Sequence, residues 1–121
     1  MMFLINTVIE YLNIQRPWML KIQPYIKAGY RAEYYSEINA KGKIRKHVIV
    51  VSQDDLENDG RNLDTLIAHE FIHAWQAEYK PYSSIHGKNF QTKAAELEDY
   101  LQGAGFENVK GIYLENIDEK N

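Results

Sequence analysis

Cysteine is absent from the 121 residues. That excludes disulfides, thiol nucleophiles and Cys-based zinc ribbons, and it leaves His, Asp and Glu as the side chains able to hold a metal. Long apolar runs are missing too, so no stretch approaches the roughly 18 residues that would suggest a membrane span. The first ten residues, MMFLINTVIE, have no basic segment and carry an acid where a secretory apolar core would continue. No signal peptide is expected, and a cytoplasmic location follows by default. There is no repeat, low-complexity tract or Pro/Gly/Ser-rich linker. One domain over residues 1–121 is the simplest parse, because a chain of this size buries about two-thirds of its unfolded surface and has room for one core.

Net charge is only −3, but it is unevenly placed. Residues 1–50 hold 8 Lys and Arg against 3 Glu, whereas residues 51–121 hold 6 against 14 acids. The densest basic segment runs through Lys41, Lys43, Arg45 and Lys46 to His47. It reads first as a solvated hairpin tip, since Lys-rich turns serve solubility and edge protection.

Hydrophobic spacing sets the elements. Leu4, Val8 and Leu12, with Ile5 and Ile9, recur at helical spacing, which predicts an amphipathic helix over 2–14 that stops before Pro17. Short strands are expected at 18–22, 30–38 and 44–52, the last two joined by turn residues Asn39, Ala40, Lys41 and Gly42 as a hairpin. Residues 53–62 are polar and form a connection with room for a short helical turn. Asn62 or Asp64 can then cap a helix whose apolar residues, from Leu63 to Ala77, cover nearly every side, the signature of a buried helix ending near Tyr79 before Pro81. A last helix is expected over 88–102, with Phe90, Ala94, Leu97 and Leu101 on one stripe and Gly103 to end it. Phe106, Val109, Ile112, Tyr113 and Leu114 should fold back on the core, and the tail from Asn116 should fray.

The buried helix carries His69-Glu70-Phe71-Ile72-His73. Residues at i and i+4 lie about 40° apart around a helix, so both imidazoles can face one ion, with Glu70 on the flank of the same face. This spacing suits zinc hydrolysis, in which the metal activates a water and polarises a carbonyl while Glu70 handles the proton. Two His and a Glu on an apolar helix would each cost several kcal/mol of desolvation if left unpaired, and a metal with its water pairs all three. A third ligand is needed. His86 is the natural candidate, 13 residues past His73 and next to Gly87, which permits a close backbone approach. Glu98 is an alternative on the flank of the last helix, which would make the site gluzincin-like, and Glu96 points further to solvent. His47 reads as a strand residue. Tyr79, Tyr82 and Tyr113 lie in segments that can approach a metal as oxyanion donors, without a ranking among them.

The segment from Leu63 to Trp75, with its HExxHA core, followed by His86-Gly87-Lys88-Asn89-Phe90, resembles the SprT-like (Spartan-type) zinc metallopeptidases. A weaker similarity extends upstream through Ala28-Gly29 and Val50-Val51-Ser52, so that about 90 of the 121 residues are covered. The resemblance implies zinc ligands His69, His73 and His86 and catalytic Glu70. It also implies an α+β, minimal zincin-like fold: an N-terminal helix, a small, mostly antiparallel three-stranded sheet, the buried HExxH helix and a following C-terminal helix. With no cysteine for the zinc ribbon that many of these proteins carry, the similarity is to the catalytic core. The expected activity is zinc-dependent hydrolysis of proteins or peptides, the extended substrate pairing with a sheet edge for which His47 to Ser52 is the candidate. A noncatalytic zinc-stabilised binding module is the competing class. For nucleic acid, at most weak, salt-sensitive, sequence-independent contact through Lys41, Lys43, Arg45 and Lys46 is expected.

Overall fold

The computed structural model describes residues 2–24, 32–52 and 62–113. Most of the polar connection, the upstream Ala28-Gly29 segment, Leu114 and the tail from Asn116 lie outside them. Helix α1 spans Met2–Leu12 and buries Leu4, Ile5, Val8 and Leu12, the stripe that the spacing predicts. It stops because Asn13 turns left-handed at φ 55°. Asn13 N–H then donates to Glu10 O at 3.2 Å and Ile14 N–H to Ile9 O at 3.1 Å, which satisfies carbonyls the helix end would otherwise leave open.

Three strands follow: β1 (Trp18–Gln23), β2 (Ala32–Ile38) and β3 (Ile44–Ser52). β2 and β3 form the expected antiparallel hairpin. Its turn is closed by Asn39, whose Oδ1 accepts from the backbone of Lys41 and Lys43, with Gly42 at φ 78°. The sheet is mixed, because β1 pairs parallel to β3, and the strand order is β1-β3-β2.

That order corrects one expectation. β3, proposed from sequence as the open edge for a peptide, is the central strand, with both of its ladders already used. The uninterrupted apolar run Val48-Ile49-Val50-Val51 is buried along its whole length, as a strand with neighbours on both sides should be. β1 and β2 are the edges among the described residues.

The register places Trp18 and Leu20, Ala32 and Tyr34, and Ile49 and Val51 on one face of the sheet, in contact with the core. Against that face lies helix α2 (Leu63–Tyr79), where Thr65 to Ala74 are all buried. Phe71 inserts between layers, its ring 5.6 Å from that of Trp18 in an edge-on contact; full burial of such a side chain is worth about 1.5–3 kcal/mol. Helix α3 (Lys88–Gly103) presents Phe90, Ala94, Leu97 and Leu101 to the core, as its stripe predicts. Gly103 is its last residue, but the left-handed position is Gly105, at φ 103°. Beyond it, Val109 and Ile112 are fully buried and Phe106 packs on the core, whereas Tyr113 stays exposed. None of the described helices is long and apolar enough to cross a membrane.

Candidate metal centre

Helix α2 begins where the Asn62 side chain accepts from Thr65 N–H at 2.8 Å. From that start the helical repeat carries His69 and His73 to the same side, both buried, with imidazole centroids 5.0 Å apart. His86 comes from the opposite direction. α2 ends as Lys80 N–H bonds to Gln76 O, and tight turns at Lys80–Ser83 and Ser84–Gly87 fold the chain back. A Cβ at Gly87 would stand 2.8 Å from Ser84 Cβ, so this turn needs a residue without a side chain. Gly87 then caps α3, and one turn into that helix Phe90 places its ring 4.8 Å from those of His69 and His73 and 5.0 Å from that of His86. The three imidazoles thus share an aromatic floor.

His69 Nε2 and His86 Nε2 are 3.4 Å apart, and one ligand nitrogen from each of His69, His73 and His86 falls within 4.8 Å of the others. Among the described residues these three form a group able to hold a metal ion. The hydrogen bonds behind the rings fix which nitrogen faces inward. A carbonyl only accepts, so His69 Nδ1–H donates to Ile112 O at 2.6 Å and the lone pair of the neutral ring sits on Nε2. Gln76 is oriented the same way. Its amide nitrogen donates to Ser84 O at 3.0 Å and Ser83 Oγ at 3.3 Å, which turns its Oε1 toward His73 Nδ1 at 3.0 Å as acceptor. Both ring orientations are therefore set by partners outside the cluster, the usual arrangement behind metal-binding imidazoles. Glu70 is fully buried on the flank, its Oε2 3.9 Å from His69 Nε2.

The model of the SprT-like family matches residues 18–110, well over half of the sequence. The chain belongs to the SprT-like family. Comparison with curated proteins and with solved structures gives no match.

In this SprT-like chain the remaining sequence candidates lie elsewhere. Glu98 is not in the histidine cluster; its Oε1 accepts from Gly111 N–H at 2.7 Å and Ile112 N–H at 3.2 Å, which removes the gluzincin-like alternative. Glu96 is half exposed and pairs with Lys93, as its outward position implied. Tyr79 donates to Asn13 O at 2.6 Å, Tyr82 is fully exposed and Tyr113 is half exposed. Of the basic segment, Arg45 and Lys46 lie 3.5 and 3.6 Å from Glu37, while Lys41 and Lys43 are exposed.

The tyrosine that does stand beside a histidine of the cluster in this SprT-like chain was not among those candidates. Tyr34 on β2 has its ring 6.3 Å from that of His73 and its hydroxyl 2.7 Å from His47 Nδ1. His47, buried on β3, places Nε2 2.6 Å from Glu78 Oε2, and the same carboxylate accepts from Gln15 N–H at 2.9 Å and Arg16 N–H at 3.1 Å. Because a carboxylate only accepts, His47 carries a proton on Nε2, and its Nδ1 pairs with the Tyr34 hydroxyl. The network joins the α1–β1 connection, the end of α2 and two strands. Alternation on β2 was the one signal for Tyr34, since Ala32, Tyr34 and Ser36 share the face toward α2.

Burial pushes the Tyr34 phenol from 10.0 up to about 12; a hydrogen bond with Ser36 opposes the rise and the Glu78 charge adds to it. The phenol keeps its proton at neutral pH and remains a donor. With the folded value above the unfolded one, this contribution to stability is fully present below pH 10.0 and is lost as pH rises through about 12. Tyr34→Phe is therefore expected to lose less thermal stability than wild type between those limits, and its ultraviolet tyrosinate titration should lack the latest-ionising component. Identical alkaline melting curves and titrations would contradict the assignment.

Proposed function

We propose that the protein is a zinc-dependent peptidase in which His69, His73 and His86 hold the ion and Glu70 is the general base. The convergence of the three imidazoles beside a buried carboxylate carries this reading. Imidazole nitrogens suit zinc: two of them about 2.0–2.1 Å from one tetrahedral ion are about 3.3 Å apart, His69 Nε2 and His86 Nε2 are 3.4 Å apart, and all three ligand nitrogens lie within 4.8 Å of one another. Three protein ligands leave a position open, as hydrolytic zinc sites require. When bound there, zinc supplies Lewis acidity, lowering the pKa of a water to about 7 and polarising the scissile carbonyl. Glu70 takes the proton of the attacking water and delivers it to the leaving amine. A site kept only for structure has no use for a buried base, and burying a carboxylate costs several kcal/mol; this disfavours the noncatalytic binding module.

With β3 central, an extended substrate has β2 as its edge on the side of the site, since Tyr34 of that strand adjoins His73. Any nucleic acid would meet the hairpin tip at Lys41 and Lys43, helped by Arg45 and Lys46, through phosphate contacts alone.

Purified protein is expected to retain about one zinc per chain and to cleave a flexible protein such as casein, with or without added DNA. A chelator should stop cleavage and added zinc should restore it. Protein that takes up no zinc, or cleavage indifferent to chelation, would end the proposal.

A further inference from the structure

Glu98 sits on α3, one residue past buried Leu97, and its carboxylate is half-buried and turned toward the returning segment rather than the histidines. Two consecutive backbone N–H groups, from Gly111 and Ile112, converge on its Oε1. Gly111 is at φ 77°, a left-handed conformation that lets successive amides point to one acceptor and that a residue with a side chain adopts only under strain. The carbonyl of the same Ile112 receives the Nδ1–H of His69 at 2.6 Å. One carboxylate therefore anchors the N–H of the residue whose carbonyl, in the next peptide unit, sets the tautomer and tilt of a metal-cluster imidazole.

The rest of the segment is tied along the same path. Lys110 N–H donates to Thr65 Oγ1, Gln102 Nε2 to Val109 O and Asn62 Nδ2 to Asn108 O. Gln91 Nε2 bridges Tyr113 O and His86 O, which links the strap to a second histidine of the cluster. Asn108 Nδ2 also reaches Asp64 Oδ2 at 3.4 Å, but among the described residues Glu98 is the carboxylate bonded to the segment's backbone amides, and hydrogen bonds to an ionised acceptor are about twice as strong as neutral ones.

We propose that Glu98 is a positioning residue for the metal centre, acting through the Gly111–Ile112 backbone to hold His69 with Nδ1 protonated and Nε2 turned to the ion. The proposal rests on the reading of His69 as a ligand. It assigns Glu98 no contact with metal or substrate.

The test compares wild type, Glu98→Ala, Glu98→Gln and Gly111→Ala by two measurements on folded protein: zinc affinity by competition with a chromophoric chelator, and the His69 tautomer of the metal-free protein by nitrogen NMR. Removing an outer partner of a metal-binding imidazole usually costs 10- to 100-fold in affinity, so Glu98→Ala is expected to bind zinc about tenfold more weakly and to show a mixture of His69 tautomers. Glu98→Gln keeps an oxygen acceptor and should recover part of that loss, while Gly111→Ala, strained at its φ, should behave like Glu98→Ala. A merely structural role would lower the melting temperature of these variants and leave both readouts at wild-type values, and that result overturns the proposal. Should Glu98→Ala fail to fold, Glu98→Gln and Gly111→Ala decide by the same two readouts. Should wild type bind no zinc, the peptidase reading falls, whereas the tautomer comparison still decides the role of Glu98.

Discussion

Glu70→Gln is expected to fold and bind zinc like wild type while hydrolysing protein substrate more slowly by on the order of 100-fold or more. Glutamine matches the volume of the fully buried side chain, so packing between α2 and its neighbours is kept. What it lacks is a site that takes up a proton at neutral pH. The three imidazole donors are untouched, and their outer partners Ile112 O and Gln76 do not involve residue 70. Zinc content and kcat/KM, measured on the same preparations, separate the two roles. Equal cleavage by both proteins would show that Glu70 is not the base.

His73→Ala should abolish metal retention instead. It removes one of three donors and leaves the Gln76 amide, held by Ser83 and Ser84, facing a void. A ligand that binds only the folded state stabilises it by about 4 kcal/mol when its free concentration is a thousand times its Kd. Small domains unfold with about 5–15 kcal/mol, so this is a large share of the total. Wild type is therefore expected to melt at a clearly lower temperature after chelation, whereas His73→Ala should melt at the same temperature with and without zinc. Wild-type zinc content in the variant would remove His73 from the ligand set.

Local periodicity made much of this architecture legible. The stripes Leu4-Val8-Leu12 and Phe90-Ala94-Leu97-Leu101 and the all-round apolar α2 gave the helices, because each depends on spacing within one element. The cluster was legible for the same reason at His69 and His73, and His86 followed from its neighbourhood with Gly87. Pairing partners were less accessible. The parallel alignment of Trp18 with His47 leaves no mark in either segment, although the run Val48–Val51 lacks the alternation of an edge strand and could have placed β3 in the centre. Gln76, three residues past His73 on the same helix, was within reach of spacing arguments. Ile112 was not, because its contribution is a backbone carbonyl, which every residue has. The Tyr34–His47–Glu78 network joins three elements and becomes visible only once the sheet register is known.

The mixed sheet has a consequence for how unequally its strands are secured. Ile38 meets Ile44 across six residues of chain, but Trp18 meets His47 across twenty-nine. Closing the longer loop costs about 1.4 kcal/mol more in chain entropy than closing the shorter one. Connectivity thus favours the β2–β3 pairing over the β1–β3 pairing by that margin, which the β1 ladder and the packing of its side chains must offset. Trp18, the first residue of that strand, is the one whose ring meets Phe71 inside the HExxH segment. The helix that carries His69 and His73 is buttressed by the strand whose pairing closes the longer loop.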